Sequence, residues 1–393
     1  MLSKIASETD KESVYSDAPD IVDDSLELLR ASVTDFLSGR KAFAVRTTES
    51  RGAPEFDLAA WRELAELGWL GLSLPESRGG AGFGTGALTV VSEQLGRAAS
   101  AIPYIAASVL PGVLLAECEP DSGVEELTSI LLAGQRPFCL AWQEHVHQWE
   151  GAEPATVLKE GRVSGAKRFV MGAELGGILL VSAHSSSGMA LVAVDSNAAG
   201  VRIERYAAGL GSEGTVYLDQ SPVFRGSALA YEESAARALS RALQIGRVTL
   251  SAQLAGLASG SLERTVEYIG SRVQFGRPIS SFQSIRHRCV DLLIATRLAH
   301  ASWAHAARCI ESEPLSARTA AAVSAAKARC GDVAVQAGRD SIQMHGAMGC
   351  TEEAGVGLFL RAAVHGRGWL GSPLAHRRRF QEYRTRANEV ADA

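Results

Sequence analysis

The feature that most limits the fold is a double change of texture along the 393 residues. From Ile21 to about Leu132, apolar residues recur at helical spacing. Leu26, Leu29, Val33, Phe36 and Leu37 form one run, and Trp61, Leu64, Ala65 and Leu67 form the next. Leu74-Pro75-Glu76-Ser-Arg-Gly79-Gly80-Ala-Gly82 interrupts the pattern as a Pro/Gly loop, and helical spacing resumes from Thr89 to Arg97. From about Arg136 to Ala230, short β-favouring runs alternate with Gly, Ser and Asn: Arg168 to Met171, Gly177 to Ala183, Met189 to Val194 and Gly214 to Leu218 among them. After Glu232 the chain is alanine-rich and almost wholly helical to its end. β texture between two helical regions predicts an α+β multidomain chain. The expected divisions are a disordered lead over 1–20, an N-terminal helical domain over 21–133, a compact antiparallel β-domain over 134–231 and a C-terminal helical domain over 232–393.

Bulk properties exclude several functions. A hydrophobic fraction of 46% supports a sizeable core, and a net charge of -5 argues against nucleic acid as a partner. The basic run Arg377, Arg378, Arg379, Arg384, Arg386 is local; it suits a solvated helix face or subunit contact, or a place near an anionic ligand. No apolar run approaches the roughly 20 residues that span a bilayer. Met1 to Pro19 is polar, carries both signs of charge and has no apolar core, so it does not read as a signal peptide. The six cysteines show no CxxC or other metal spacing, which predicts reduced, packed thiols, a cytoplasmic chain and no metal site.

Two segments carry more specific information. Arg272-Val-Gln-Phe-Gly-Arg-Pro-Ile-Ser-Ser-Phe-Gln283 resembles the R-x-x-F-G-x-x-I-x-x-F/H-Q segment of acyl-CoA dehydrogenases, which use FAD to desaturate acyl-CoA thioesters. Gln343-Met-His-Gly346-Ala347-Met-Gly349 is similar to that family's Q-x-x-G-G-x-G loop, with one glycine replaced by Ala347. Leu67-Gly68-Trp69 to Gly79-Gly80, followed by Val91-Ser92-Glu93-Gln94-Leu95-Gly96, resembles its N-terminal marker. The likeness runs from about Val22 to Arg379. It implies the acyl-CoA dehydrogenase fold: an N-terminal helical domain, a central antiparallel β-barrel-like domain and a C-terminal four-helix bundle. It also implies that Arg272, Gln274, Phe275, Phe282, Gln283, Gln343, Gly346 and Gly349 touch an FAD held mainly by a neighbouring subunit. The residue types suit that role, since Arg offers a fixed fork of donors to phosphate and Gly lets backbone N–H groups approach closely.

The same resemblance exposes losses. The family's reaction needs a carboxylate with a raised pKa to take the thioester α-proton while a hydride leaves the β-carbon for a stacked flavin. Arg361-Ala-Ala-Val-His-Gly-Arg-Gly-Trp-Leu370-Gly-Ser looks like the R-D-A-x-x-x-x-I-Y-E-G-T segment, but Leu370 stands where the catalytic Glu would be. The family's other position for the base falls on Gly246. Neither residue accepts a proton, so no catalytic residue is expected; Glu263, Glu267, Glu352 and Glu353 are the candidate replacements. The motifs for the chain's own flavin ring are also altered. Phe138 to Gln143 lacks the Thr-Glu-Pro of the first, and Lys167-Arg168-Phe169-Val170-Met171-Gly172 replaces the Trp and Thr of K-x-W-I-T-N-G. A methionine cannot donate a hydrogen bond to the flavin.

What a chain uses for its own flavin and base is gone, whereas what it lends to its neighbour's FAD is kept. The resemblance therefore implies one subunit of a heteromeric, α2β2-type acyl-CoA dehydrogenase, like bacterial members acting on steroid side chains or other bulky acyl-CoAs. Its partner would be a homologous subunit carrying the catalytic Glu. Two rivals stand beside it: a homomeric flavoprotein with a relocated base or different oxidative chemistry, and a non-catalytic scaffold subunit.

Overall fold

A computed structural model describes residues 24–38, 57–146, 148–149, 152–208 and 211–391. The expected lead over 1–20 lies outside the described residues, as does the side chain of Arg386. The first periodic run folds as α1 (Asp24–Ser38), burying Val33 and Phe36. Asp57 caps α2 (Leu58–Glu66) by accepting from the Ala60 N–H at 2.9 Å. The Pro/Gly stretch forms turns, and α3 (Gly84–Arg97) follows. A π-helical segment over Ile105–Val109 leads into α4 (Leu110–Glu117), and α5 (Ser122–Leu132) starts on an Asp121 cap.

The middle region is one eight-stranded sheet. Its strands are β1 (Phe138–Ala141), β2 (Val157–Lys159), β3 (Arg162–Met171), β4 (Ile178–Ser185), β5 (Gly188–Asp195), β6 (Val201–Ala208), β7 (Gly211–Pro222) and β8 (Ala230–Tyr231). The order β6-β7-β3-β2-β4-β5-β8 leaves the sheet open, with β1 pairing off the path onto β4. The expected barrel-like, wholly antiparallel domain is thus corrected on two points. No pairing among the described residues joins β6 to β8, and β1 and β2 each run parallel to β4. Two register shifts along β3 break its ladder with β7 locally, and the second turns Phe169 outward at a φ of 56°.

Five helices, not the expected four, build the C-terminal domain among the described residues: α6 (Glu232–Ser271), α7 (Gln283–Ser312), α8 (Ala317–His345), α9 (Val356–Gly368) and α10 (Pro373–Ala391). The extra break falls at Leu370-Gly371, both at positive φ, and Pro373 then starts α10. The 40-residue α6 is the spine. It crosses α3 so closely that a Cβ on Gly96, Gly256 or Gly260 would lie 2.0 Å from a backbone carbonyl oxygen of the facing helix. That approach welds the N-terminal helices onto the bundle, and one large apolar core runs through both while a smaller one fills the sheet. No helix among the described residues is long and apolar enough to cross a membrane.

Candidate functional site

The turn between α9 and α10 is the centre of the first candidate region. Leu370 is 5% exposed at a φ of 56°. A Cβ on Gly246 of α6 would sit 3.4 Å from Leu370 Cδ1, so the two positions that the resemblance assigns to a base meet at one point in space. Neither position carries a carboxylate. The carbonyls of the turn are held by buried basic groups. Arg247 Nε donates to the Leu370 carbonyl at 3.3 Å, and His376 Nε2 donates to the same oxygen at 3.0 Å. Lys327 Nζ donates to the carbonyls of Gly366, Arg367 and Gly371 at 3.0, 3.2 and 3.2 Å. These donors satisfy the end of α9, where helical carbonyls lack internal partners. Burial pushes the Lys327 ammonium down to about 7. Burial, reinforced by Lys327 and Arg247, holds His376 well below the usual imidazole range, so it is neutral at pH 7.

Beside this turn is a cavity of about 90 Å³, walled by Tyr104, Met171, Gln253, Leu254, His365 and Trp369 among others. Met171 is on its wall, and Phe169 is turned to the outside, 37% exposed. Lys167, at the family's motif lysine, is fully buried and donates to Glu144 Oε1 at 2.7 Å and Ser182 Oγ at 3.0 Å. Neither Met171 nor Phe169 has a side-chain hydrogen-bond donor to offer an isoalloxazine.

A second region forms at the far end of α6. There β9 (Val273–Gln274) and β10 (Arg277–Pro278) make a hairpin whose tip, Phe275-Gly276, has φ of 53° and 75°. Positive φ at both central residues marks a tight primed turn. Arg272 is exposed, its carbonyl tied to the Ile279 N–H at 2.8 Å, and Gln274 Nε2 bonds the Val273 carbonyl. Phe275 is 91% exposed and meets Phe282 edge-on, ring centroids 6.1 Å apart. Arg277 stacks over Phe282. Gln283 begins α7 and is exposed.

The glycine loop comes to the same end of the bundle. Tyr268 stacks on His345 at 4.2 Å and donates to its carbonyl at 3.3 Å, while Cys289 Sγ meets Met344 Sδ at 3.8 Å. Gln343 is exposed, Gly346 has a φ of 61° with nothing near its missing Cβ, and Gly349 is buried against the Ile342 carbonyl. Ala347, the replaced glycine, is exposed. Two segments far apart in sequence thus present uncovered donors and an open backbone at one place. These residues are of the kind that suits the phosphate and adenine end of a dinucleotide.

The candidate replacement bases are elsewhere. Glu263 pairs with Arg97 at 2.8 Å, Glu267, Glu352 and Glu353 are exposed, and none of the four lines the cavity. Sequence reasoning missed the buried basic cluster of Arg247, Lys327 and His376, and it missed His365, whose Nε2 is 3.2 Å from Glu213 Oε1. The one signal available was a lysine in the midst of the alanine-rich α8 pattern.

Comparison with known proteins identifies the family. Residues 23–117 match the acyl-CoA dehydrogenase N-terminal domain, and residues 236–382 match the acyl-CoA dehydrogenase C-terminal domain. Acyl-CoA dehydrogenase FadE34 of Mycobacterium tuberculosis is 30% identical over 350 residues, covering 88% of this chain and 45% of FadE34, so the chain spans less than half of that relative's length. A solved structure described as the Tcur3481-Tcur3483 steroid ACAD G363A variant superposes with a TM-score of 0.80 at 28% identity, covering 94% of this chain and 99% of that one. The ChsE4-ChsE5 complex from Mycobacterium tuberculosis gives a TM-score of 0.78 at 24% identity, covering 94% and 97%, a likeness of fold.

Proposed function

We propose, from the premise that this chain belongs to the acyl-CoA dehydrogenase family, that it is the base-lacking subunit of a heteromeric acyl-CoA dehydrogenase and completes its partner's FAD site. The observation that carries this reading is the meeting of Leu370 and Gly246, which fills both positions for the base with groups that cannot take a proton. The cofactor of the family is FAD, which when bound supplies the hydride acceptor for desaturation of the acyl thioester. In this chain Arg272, Gln283 and Gln343 would hydrogen-bond its phosphate and adenine end, Phe275 and Phe282 would pack against it, and the backbone at Gly346 would admit it. The partner is a homologous subunit with an intact Glu. The solved relative at 28% identity is described as a steroid ACAD, which favours a bulky polycyclic acyl-CoA as the complex's substrate.

A subunit contact also has a surface to use. Val290, Leu293, Ile294 and Leu298 lie at helical spacing on the outer side of α7 and are exposed, as are Val273 and Phe275 of the hairpin. An apolar stripe of this kind is what an association face requires.

Titration of the apo-complex with FAD tests the reading. A charge-assisted Arg–phosphate contact contributes roughly 1.5–3 kcal/mol. Arg272→Ala is expected to weaken FAD affinity by about tenfold to a hundredfold, with activity restored by excess FAD. Unchanged affinity would leave the segment as a relic and favour the scaffold reading. The homomeric reading has one observation of its own: His365, hydrogen-bonded to Glu213, is a basic side chain on the cavity wall. Near-stoichiometric FAD in the isolated, active chain would decide for it.

A further inference from the structure

The Arg272 hairpin and the loop at Gly346 spring from the ends of two helices, and one side chain joins those ends. Tyr268 lies in the last turn of α6. Its backbone carbonyl accepts from the Arg272 N–H at 2.9 Å and from Ser271 Oγ at 3.1 Å. The Arg272 carbonyl in turn accepts from the Ile279 N–H at 2.8 Å, which closes the base of the hairpin. The Tyr268 ring lies on that of His345, the last residue of α8, with centroids 4.2 Å apart and planes at 17°. Its hydroxyl donates to the His345 carbonyl at 3.3 Å. That oxygen is among those that a helix end leaves without an internal partner, and it belongs to the peptide that enters Gly346.

His345 is itself anchored. A carbonyl can only accept, so His345 Nδ1 carries a proton and donates to the Ser341 oxygen at 2.8 Å. Gly349 folds back so far that a Cβ on it would lie 2.5 Å from the Ile342 carbonyl oxygen and 3.0 Å from His345 Cβ. The loop is thus seated on His345, and His345 on Tyr268. The packing of α6 against α8 has other supports. About two turns before Tyr268 the buried Ser261 and Ser341 bond across the two helices at 2.7 Å, and Thr265 and Ile269 of α6 are buried as well. Tyr268 is only half-buried, so its loss leaves that packing in place.

We propose that Tyr268 is a positioning residue: it fixes the Arg272 hairpin relative to the glycine loop, so that both reach one dinucleotide together. The inference rests on the proposed reading of those two segments as arms that complete a partner's FAD site. Two contacts to one ligand contribute fully only when their separation is set before binding; otherwise binding must first order them. Tyr268 suits that task because of where it stands. One helical turn of backbone ties it to the first arm, and a stacked ring and a hydrogen bond tie it to the second. It acts through the arms rather than on the reacting atoms.

The test is FAD titration of the apo-complex, read as a double-mutant cycle with Arg272→Ala. Tyr268→Leu removes both the stack and the hydroxyl. It should weaken FAD affinity by roughly three- to tenfold, the cost of ordering about one interface side chain, while the complex still co-elutes. Tyr268→Phe keeps the stack, and its affinity should fall between wild type and the leucine variant. In the Arg272→Ala background one arm is gone and the spacing no longer matters. There Tyr268→Leu should cost less than about twofold, the scatter of independent sites. A role confined to stability would cost the same in both backgrounds, so an additive loss overturns the proposal. Unchanged affinity in Tyr268→Leu, with Arg272→Ala weakened, also overturns it and leaves the reading of the hairpin intact. Unchanged affinity in Arg272→Ala sinks that reading, and Tyr268 with it. If the leucine variant does not assemble, Tyr268→Phe carries the same cycle, and affinity equal to wild type overturns the proposal.

Discussion

Lys327 and Leu370 show how residues without access to substrate fix the behaviour of the turn. Lys327 is fully buried, and its ammonium sits at about 7 against 10.5 for an unburied lysine. Arg247 and Arg367 reinforce the depression, while Cys330 and Asp332 oppose it. Between those two pH values the unfolded chain binds more protons than the folded one, so stability from this group rises as pH rises from about 7 toward 10.5 and is lost as pH falls back. Lys167, brought by burial to about 8, adds a slope of the same sign, so the informative quantity is a difference. Lys327→Met should remove part of that slope, leaving stability flatter than wild type between pH 7 and 10 in urea titrations. A slope identical to wild type would mean that Lys327 is not the group responsible. Leu370→Glu returns a carboxylate beside Gly246, where on the proposed reading no flavin of this chain faces it. It should destabilise the isolated chain by roughly 1–3 kcal/mol and yield no desaturation. Detecting any enoyl-CoA product from that variant would show an intact flavin site.

Among elements, α6 depends on glycine for two different reasons, and the difference is measurable. At Gly256 a Cβ would lie 2.0 Å from the Glu93 carbonyl, so α3 itself would have to move. At Gly246 the nearest atom is Leu110 Cδ2 at 2.4 Å, the end of a flexible side chain. Gly246→Ala should therefore cost about 1–2 kcal/mol and Gly256→Ala more than about 3 kcal/mol, read from denaturant midpoints. Similar losses at both would mean that the helix crossing is softer than its spacing implies. Periodicity made most elements legible. β4 and β5 follow the expected runs closely because each is a long β-favouring apolar stretch of eight residues, and the long helices because the alanine-rich sequence after Glu232 favours helix. β1 and β8 escaped notice as strands because four and two residues are too short to stand out. The open edge of the sheet was not legible either, since strand patterning reports burial and not which strands pair. The retained cofactor segment was readable as a contiguous string. The buried cluster of Arg247, Lys327 and His376 was not, because its members come from three separate helices and each alone looks like an ordinary helix residue.

For the whole molecule, the exposed stripe on α7 and the uncovered hairpin make association the central prediction. Ile294→Glu places a charge where the isolated chain is already in water, so its own unfolding free energy should stay within about 0.5 kcal/mol of wild type. In co-expression with a base-bearing homologue the same change should abolish co-elution on gel filtration. Co-elution at wild-type strength would move the contact to another face. The length of α6 adds something that neither end shows alone. The twenty-six steps from Gly246 to Arg272 extend about 39 Å at 1.5 Å per residue along one unbroken helix. A substitution beside Leu370 thus has no side-chain neighbour in common with the hairpin proposed to serve another subunit's cofactor. The rod works as an insulator: one end can drift freely while the other stays under constraint, and a chain built this way can retire from chemistry without leaving the enzyme.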